Sequence, residues 1–195
     1  MQTPNNETRQ RILDAAEELF SKRGYAAVRL RDIAGAVGMR HASLYYYAPK
    51  GKQQLFVEVM ERNFARHLEG LTAAISGAGD DLRAQMYAVA EWLITQPPLD
   101  FGRMQQSDMR EIGEEEANRL MEMGYNAMRL PIVAALKRAR DTGTVAVSDA
   151  NLAAMGLVNL VQSVHQLPSY FGQDARLKTS KQLVDMLLDG WLRRS

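Results

Sequence analysis

The chain contains no cysteine, which excludes a disulfide framework and any thiolate metal site. Its three histidines, His41, His67 and His165, stand far apart, without the spacing of metal ligands. No apolar run approaches the ~18–20 residues that a membrane-spanning helix needs. The opening Met1-Gln2-Thr3-Pro4-Asn5-Asn6 has neither the basic start nor the apolar core of a secretory signal, so a cytoplasmic location without a membrane is expected. Also missing are a Gly-x-Ser-x-Gly elbow, a phosphate-cradling loop and a His-Glu-x-x-His pair. Gly77-Ala78-Gly79 has no strand before it and reads as a plain loop. No catalytic residue, metal ligand or cofactor is therefore expected. An alternating strand pattern is lacking as well. Thr144-Val145-Ala146-Val147 is β-prone, but a lone four-residue strand has nothing to pair with.

What remains is ordinary globular material, 46% hydrophobic and 24% charged, with a net charge of +1. The distribution of charge is more telling than its sum. Residues 1–52 hold nine Lys or Arg against five Asp or Glu, a balance of +4, which leaves −3 for the rest. A basic head on an acidic body suits a protein whose first fifty residues face phosphate.

Helical periodicity begins at once. Ile12, Ala15, Ala16, Leu19 and Phe20 share one face of a helix over about 7–23, capped by Asn6 and stopped by Gly24. A short second helix carries Ile33, Ala34 and Val37 and ends at Gly38. A third follows Arg40 with Leu44 inward. Pro49 and Gly51 then break the chain. Further helices are expected over 52–75, 80–95, 102–112, 114–140, from a Ser148 or Asp149 cap to 167, and over 176–193. Pro97-Pro98 and Pro168 act as stops, Gly143 as a cap residue, and Pro131 as a kink or a restart. The expectation is an all-α fold of about nine helices.

The stretch Leu30–Lys52, LRDIAGAVGMRHASLYYYAPKGK, has helix-turn-helix chemistry. A short helix, a tight turn through Gly38-Met39-Arg40 and a second helix would present Arg40, His41, Ala42 and Ser43 to base edges in a major groove. Tyr45, Tyr46 and Tyr47 are too many aromatic rings for so small a core, so at least two should face outward. Phenol hydroxyls can donate to phosphate, and the rings can lie against thymine methyls. Lys52 opens the next helix, where its charge and the free N–H groups can both meet phosphate.

Residues 9–56 resemble the DNA-binding domain of the TetR/AcrR family of bacterial transcriptional regulators. The resemblance rests on Phe20 and Gly24, Arg31-Asp32-Ile33-Ala34, Val37-Gly38, Ser43-Leu44-Tyr45-Tyr46 and Lys52. It implies that Arg31, His41 and Ala42 touch bases, that Ser43, Tyr45, Tyr47 and Lys52 hold the backbone, and that Tyr46 reaches a base or a phosphate. Two positions depart from the pattern. Arg29 stands where the family usually has a Thr or Ser cap, so the cap is lost although a phosphate contact is gained. Ala48 replaces the usual aromatic after the tyrosines, and Tyr47 replaces a common histidine. The domains implied are a helix-turn-helix over 1–52 and a helical effector-binding and dimerisation domain over 53–195.

Two heads about 34–36 Å apart read successive major grooves, so a homodimer on double-stranded operator DNA is expected. Its interface should use Leu152, Met155, Leu160 and Val164 on one late helix, with Leu183, Leu187 and Trp191 on the other. Seven of the eleven methionines lie between residues 86 and 155, and methionine adapts to varied apolar partners. Trp92, Met104, Met109, Met121, Tyr125 and Met128 are candidates to line a pocket for a small-molecule effector, with Asn159, Gln162 and His165 to orient it. The expected function is a repressor released from a palindromic operator by a small apolar effector. The alternative is a DNA-binding regulator controlled by a protein partner, or one without an effector.

Overall fold

A computed structural model describes residues 6–98 and 101–191, and among the described residues it contains nine α-helices and no strand. They are α1 (Asn6–Ala27), α2 (Leu30–Ala36), α3 (His41–Tyr47), α4 (Lys52–Gly77), α5 (Leu82–Thr95), α6 (Phe101–Gln106), α7 (Glu114–Asp141), α8 (Ala150–Gln162) and α9 (Gln173–Trp191). Short 3-10 turns at Asp108–Glu111 and Ser163–Gln166 complete the order. The packing divides the chain into two compact units, Met1–Phe64 with Asp100–Gly124, and Ala65–Leu99 with Tyr125–Ser195. The first unit thus takes in the start of α4 and the 101–124 stretch, beyond the helix-turn-helix drawn to residue 52.

Most boundaries follow from caps. Asp81 opens α5 by accepting the Ala84 N–H at 2.8 Å, and Asp149 opens α8 by accepting from Asn151 and Leu152. At the end of α7, Thr144 donates to the Ala139 carbonyl and Gly143 to that of Arg140, with Gly143 at φ +77. This double bond closes the last turn around a left-handed glycine. Pro131 lies inside a helix that continues through it. Gly24 is a break rather than a stop: at φ +76 and ψ 165 it interrupts α1, which resumes to Ala27. The helix expected over 102–112 is likewise divided, into α6 and a 3-10 turn. The expected end of the last helix at 193 lies outside the described residues.

In the first unit the core is built by Ile12, Ala16 and Phe20 of α1, Ile33 and Ala34 of α2, Leu44 of α3, and Leu55, Phe56 and Val59 of α4. Phe20, Tyr25 and Phe56 form an aromatic cluster with centroids 4.8–5.9 Å apart. Arg62 on α4 pairs with Asp14 at 2.7 Å and with Glu17, tying α4 to α1. In the second unit, α5 packs between α8 and α9 through Met86, Val89 and Leu93 against Leu157, Val161, Val184 and Leu188. Arg83 on α5 bridges Asp185 and Asp189 on α9, and the Tyr87 hydroxyl donates to Asp185 at 2.6 Å. Arg176 gathers the carbonyls of Val164, Leu167 and Phe171 at 2.7–3.1 Å, fastening the connection from α8 to α9.

The tightest approach in the second unit is Gly70 of α4 against Trp92. A Cβ at residue 70 would lie 2.0 Å from the indole. Gly70→Ala is therefore expected to lower the unfolding free energy by about 1–3 kcal/mol, the range for overpacking a filled core, despite the better helix propensity of alanine. Urea denaturation monitored by circular dichroism checks this, and an unchanged midpoint would contradict it.

Candidate nucleic-acid interface

Two short helices and the turn between them define the site. α2 ends in a turn whose closing bonds are all backbone: Met39 donates to the Ala34 carbonyl at 2.8 Å and Gly38 to that of Gly35 at 3.1 Å. This is the Schellman arrangement, and it requires the left-handed backbone that Gly38 adopts at φ +70. The chain then enters α3 through Arg40, whose extended backbone marks the cap position. Leu44 is fully buried beneath α3, and Ala48, just past its end, is equally buried. That departure from an aromatic is a packing choice, since a small residue fits where the chain turns toward α4.

With Leu44 inward, the rest of α3 faces out. His41, Ala42 and Ser43 are exposed, and so are Arg29, Arg31 and Arg40. Tyr45 is 47% and Tyr46 63% exposed. His41 lies edge-on to Tyr45 one turn later, with centroids 5.4 Å apart. Tyr47 is half-buried, packs edge-on against Tyr46, and gives its carbonyl to Arg9. The outward face is thus cationic at its start and aromatic at its end, a pairing suited to phosphate and base edges.

Arg29 precedes α2 and makes no side-chain cap, since a guanidinium has no lone pair for a helix N–H. Half a capping box survives from the other side: the Asp32 carboxylate accepts the Arg29 N–H at 2.8 Å. Arg31 is held only loosely, 3.9 Å from Asp32.

Lys52 is engaged within the protein. Its Nζ donates to the Tyr25 carbonyl at 2.9 Å and sits 3.9 Å from the centroid of the Tyr25 ring. Burial pushes the ammonium below the ordinary lysine value, opposed by the Glu111 carboxylate. Burial also raises the Tyr25 phenol, with Glu111 acting in the same sense. On the other side of Tyr25, the Asp108 carboxylate accepts its N–H at 2.9 Å. Neither Tyr25 nor Asp108 could be picked from the sequence. They are 83 residues apart, and no periodicity marks a single acid in a 3-10 turn as the partner of a peptide N–H.

The candidates for effector binding are divided between the two units. Met104 and Met109 are buried in the first unit. There Met109 and Met121, with Gln105, Arg110, Glu114, Ala117 and Asn118, line a groove of about 340 Å³. Trp92, Tyr125, Met128, Asn159, Gln162 and His165 belong to the second unit. Met128 is fully buried core, Asn159 is exposed, and Tyr125 carries Arg129 over its ring at 5.0 Å. The His165 Nε2 is bonded to the Leu93 carbonyl at 3.1 Å. Both amide atoms of Gln162 and the indole Nε1 of Trp92 are buried without a hydrogen-bond partner among the described residues.

Of the expected interface residues, Leu152 is 73% exposed, while Met155, Leu160, Leu183 and Leu187 are half-buried. Met186, absent from that expectation, is 70% exposed. Val164 is a correction: at 2% exposure it belongs to the core of its own unit and has no surface left to offer. The Trp191 side chain lies outside the described residues.

The remaining cap at α2 is testable. Asp32→Ala removes the acceptor of the Arg29 N–H and is expected to destabilise the protein by about 1 kcal/mol, with Asp32→Asn losing less. Thermal unfolding of the three proteins reads the order directly.

Two family models match the chain. Residues 12–59 match the model of bacterial regulatory proteins of the tetR family, and residues 81–190 match the C-terminal domain of AefR-like transcriptional repressors. Among curated relatives, the HTH-type transcriptional repressor KstR2 of Rhodococcus jostii is 37% identical over 81 residues, 42% of this chain and 39% of that one. The HTH-type transcriptional regulator AcrR of Shigella flexneri is 44% identical over 55 residues, 28% of this chain and 25% of that one. The chain therefore aligns with well under half the length of these curated relatives. Whole-chain likeness is found among solved structures. The fatty acid degradation regulator FadR from Bacillus halodurans superposes with a TM-score of 0.74 at 16% identity, covering 96% of this chain and 98% of that one. A regulator from Saccharomonospora viridis in complex with choline gives 0.76 at 21% identity, over 97% and 100%. No helix among the described residues is long and apolar enough to cross a membrane. With the helix-turn-helix in place and both halves matched, the chain belongs to the tetR family of bacterial regulatory proteins.

Proposed function

We propose that the protein is a homodimeric repressor that occupies a palindromic operator and leaves it when a small, largely apolar molecule enters the second unit. The observation that carries this reading is the outer face of α3, where Arg40, His41, Ala42, Ser43, Tyr45 and Tyr46 stand exposed around one buried leucine. A helix whose only work was packing would have no use for that face. In this reading Arg31, His41 and Ala42 meet base edges, and Ser43, Tyr45, Tyr46 and Tyr47 hold the strand beside them, with Arg29 and Arg40 on phosphate. Lys52 is left out of the contact set because its ammonium is engaged by Tyr25.

Dimerisation is supported by Leu152 and Met186, large apolar side chains that a lone protomer leaves in water on α8 and α9. Effector binding is supported by the buried, unpartnered amide of Gln162 and indole of Trp92. Buried polar atoms without partners cost about 1–3 kcal/mol each, and a ligand carrying hydrogen-bonding groups relieves that penalty. Met104, Met109 and Met121 are excluded from this assignment because they pack in the first unit. A ligand that prefers the non-binding arrangement of the two heads must weaken DNA binding by linkage, with a coupling of about 1–3 kcal/mol.

Selection of duplexes from a random pool tests the operator assignment. A palindromic sequence with half-sites about one helical turn apart is expected to enrich. Arg31→Ala and His41→Ala should each relax or change the preferred base at one position per half-site, whereas Tyr45→Phe should weaken all enriched duplexes alike. If no duplex were enriched over the starting pool, the assignment would be wrong. Dimerisation is tested separately: Leu152→Glu is expected to yield monomers in sedimentation and to abolish binding of the full palindrome while leaving the helical circular dichroism spectrum in place.

A further inference from the structure

We propose that Asp108, Tyr25 and Lys52 form a positioning relay inside the DNA-binding unit, so that Lys52 sets operator affinity by bracing α1 against α4 and not by meeting phosphate. The inference rests on the DNA-binding reading and goes beyond it in assigning a distant acid to the grip on the operator.

The Tyr25 peptide is claimed at both ends by side chains. Its N–H goes to Asp108 at 2.9 Å, and its carbonyl accepts from Lys52 at 2.9 Å. Tyr25 and Asp108 are 6% and 3% exposed, so the bond between them is shielded from water, while the bond from Lys52 is part-buried. The Lys52 ammonium also lies 3.9 Å from the Tyr25 ring centroid, which makes the contact both a hydrogen bond and a cation–π interaction. The break at Gly24 fits the same account. Its φ of +76 presents the Tyr25 N–H to the acid, and a Cβ there would lie 3.3 Å from the Asp108 carboxylate oxygen. Only glycine meets the backbone and the space together.

Lys52 opens α4, and four residues separate it from the end of α3. Holding Lys52 to Tyr25 therefore holds the start of α4 to the end of α1, the two elements beside which α3 must be set. Asp108 lies in the span matched by the C-terminal model, whereas Tyr25 and Lys52 lie in the span matched by the N-terminal one. All three nevertheless belong to one compact unit. The same stretch is fastened at two further points, Gln53 Nε2 to the Ile112 carbonyl at 2.9 Å and Arg103 to the Ser21 carbonyl at 3.4 Å. The 101–112 stretch thus bears on the helix-turn-helix through defined hydrogen bonds, with Asp108 as the buried one.

Counterion release separates bracing from phosphate contact. A lysine on phosphate contributes to the salt dependence of binding, about 0.9 in the slope of log K against log salt per contact. A lysine already committed to Tyr25 contributes nothing to that slope. The experiment measures fluorescence anisotropy of the duplex enriched by selection, at several salt concentrations, for wild type, Lys52→Met, Lys52→Arg, Asp108→Ala and Asp108→Asn. Lys52→Met is expected to weaken binding at least tenfold at every salt with the wild-type slope retained, and Lys52→Arg, which can still donate to the carbonyl and stack on the ring, to recover most of the loss. Asp108→Ala should weaken binding similarly, and Asp108→Asn, which keeps an acceptor for the Tyr25 N–H, should stay near wild type. A slope shallower by about 0.9 per protomer in Lys52→Met overturns the proposal. So does wild-type affinity in a folded Asp108→Ala.

Should Asp108→Ala fail to fold, the slope of Lys52→Met decides the question, supported by a cycle of Lys52→Met and Asp108→Ser, whose shorter side chain no longer reaches the Tyr25 N–H, on the urea midpoint. Relay partners shift that midpoint non-additively, and independent sites add. A protein that binds no duplex from the pool overturns the operator reading instead, and the relay is then judged by the cycle alone.

Discussion

A helix of seven residues cannot hold itself together in water, because nucleation fixes several residues before the hydrogen bonds of a single turn repay them. α3 is such a helix, and the whole interface depends on what fastens it. The fastening is narrow: one leucine on its inner face, a buried alanine after its end, and the backbone turn at Gly38 before it. Beyond these, Tyr47 is half-buried and gives its carbonyl to Arg9, and the face from His41 to Tyr46 around Leu44 is exposed. The same economy explains why α1 and α4 are so heavily tied, through Arg62 to Asp14 and Glu17, through Arg9 to Glu58 at 2.5 Å, and through the aromatic cluster of Phe20, Tyr25 and Phe56. A short helix keeps its place only if its supports do not move.

The elements legible in the sequence are those governed by local physics. Apolar spacing located the buried face of α1, glycines located the turns at Gly38 and Gly143, and the cap of α8 was narrowed to Ser148 or Asp149, of which Asp149 serves. Counting three tyrosines against the small core of the head correctly required two to face outward, and Tyr45 and Tyr46 do. Long-range pairings left no comparable trace. Lys52 looked like a free cation at a helix start, and only the fold brings Tyr25 beneath it. Methionines counted as one group by chain position fall into separate units, since proximity in sequence between α6 and α7 does not decide which layer each residue joins. Val164 follows Leu157 and Val161 at helical spacing and continues their buried stripe, whereas Leu152 lies on the exposed side.

The second unit is fastened differently. Its helices meet through aliphatic packing of α5 with α8 and α9, while charged groups work at the edges: Arg83 with two aspartates on α9, and Lys181 with Glu91 at 3.6 Å. Exposed pairs of this kind contribute little individually. Arg176 differs because it satisfies carbonyls at the end of a helical run that would otherwise be left to solvent. Deeper in the same unit the amide of Gln162 and the indole Nε1 of Trp92 are buried without a hydrogen-bond partner among the described residues.

The turn at Gly38 has a consequence for how such a protein changes over generations. Its closing bonds run from main chain to main chain, so no side chain on the outer surface of α3 takes part in them. Codons 40 to 43 and 45 can consequently drift without touching those closing bonds, provided the leucine between them stays. A duplicated gene could acquire a new target sequence by a handful of such exchanges, each nearly neutral for folding, and the two copies would part in what they read long before they parted in shape.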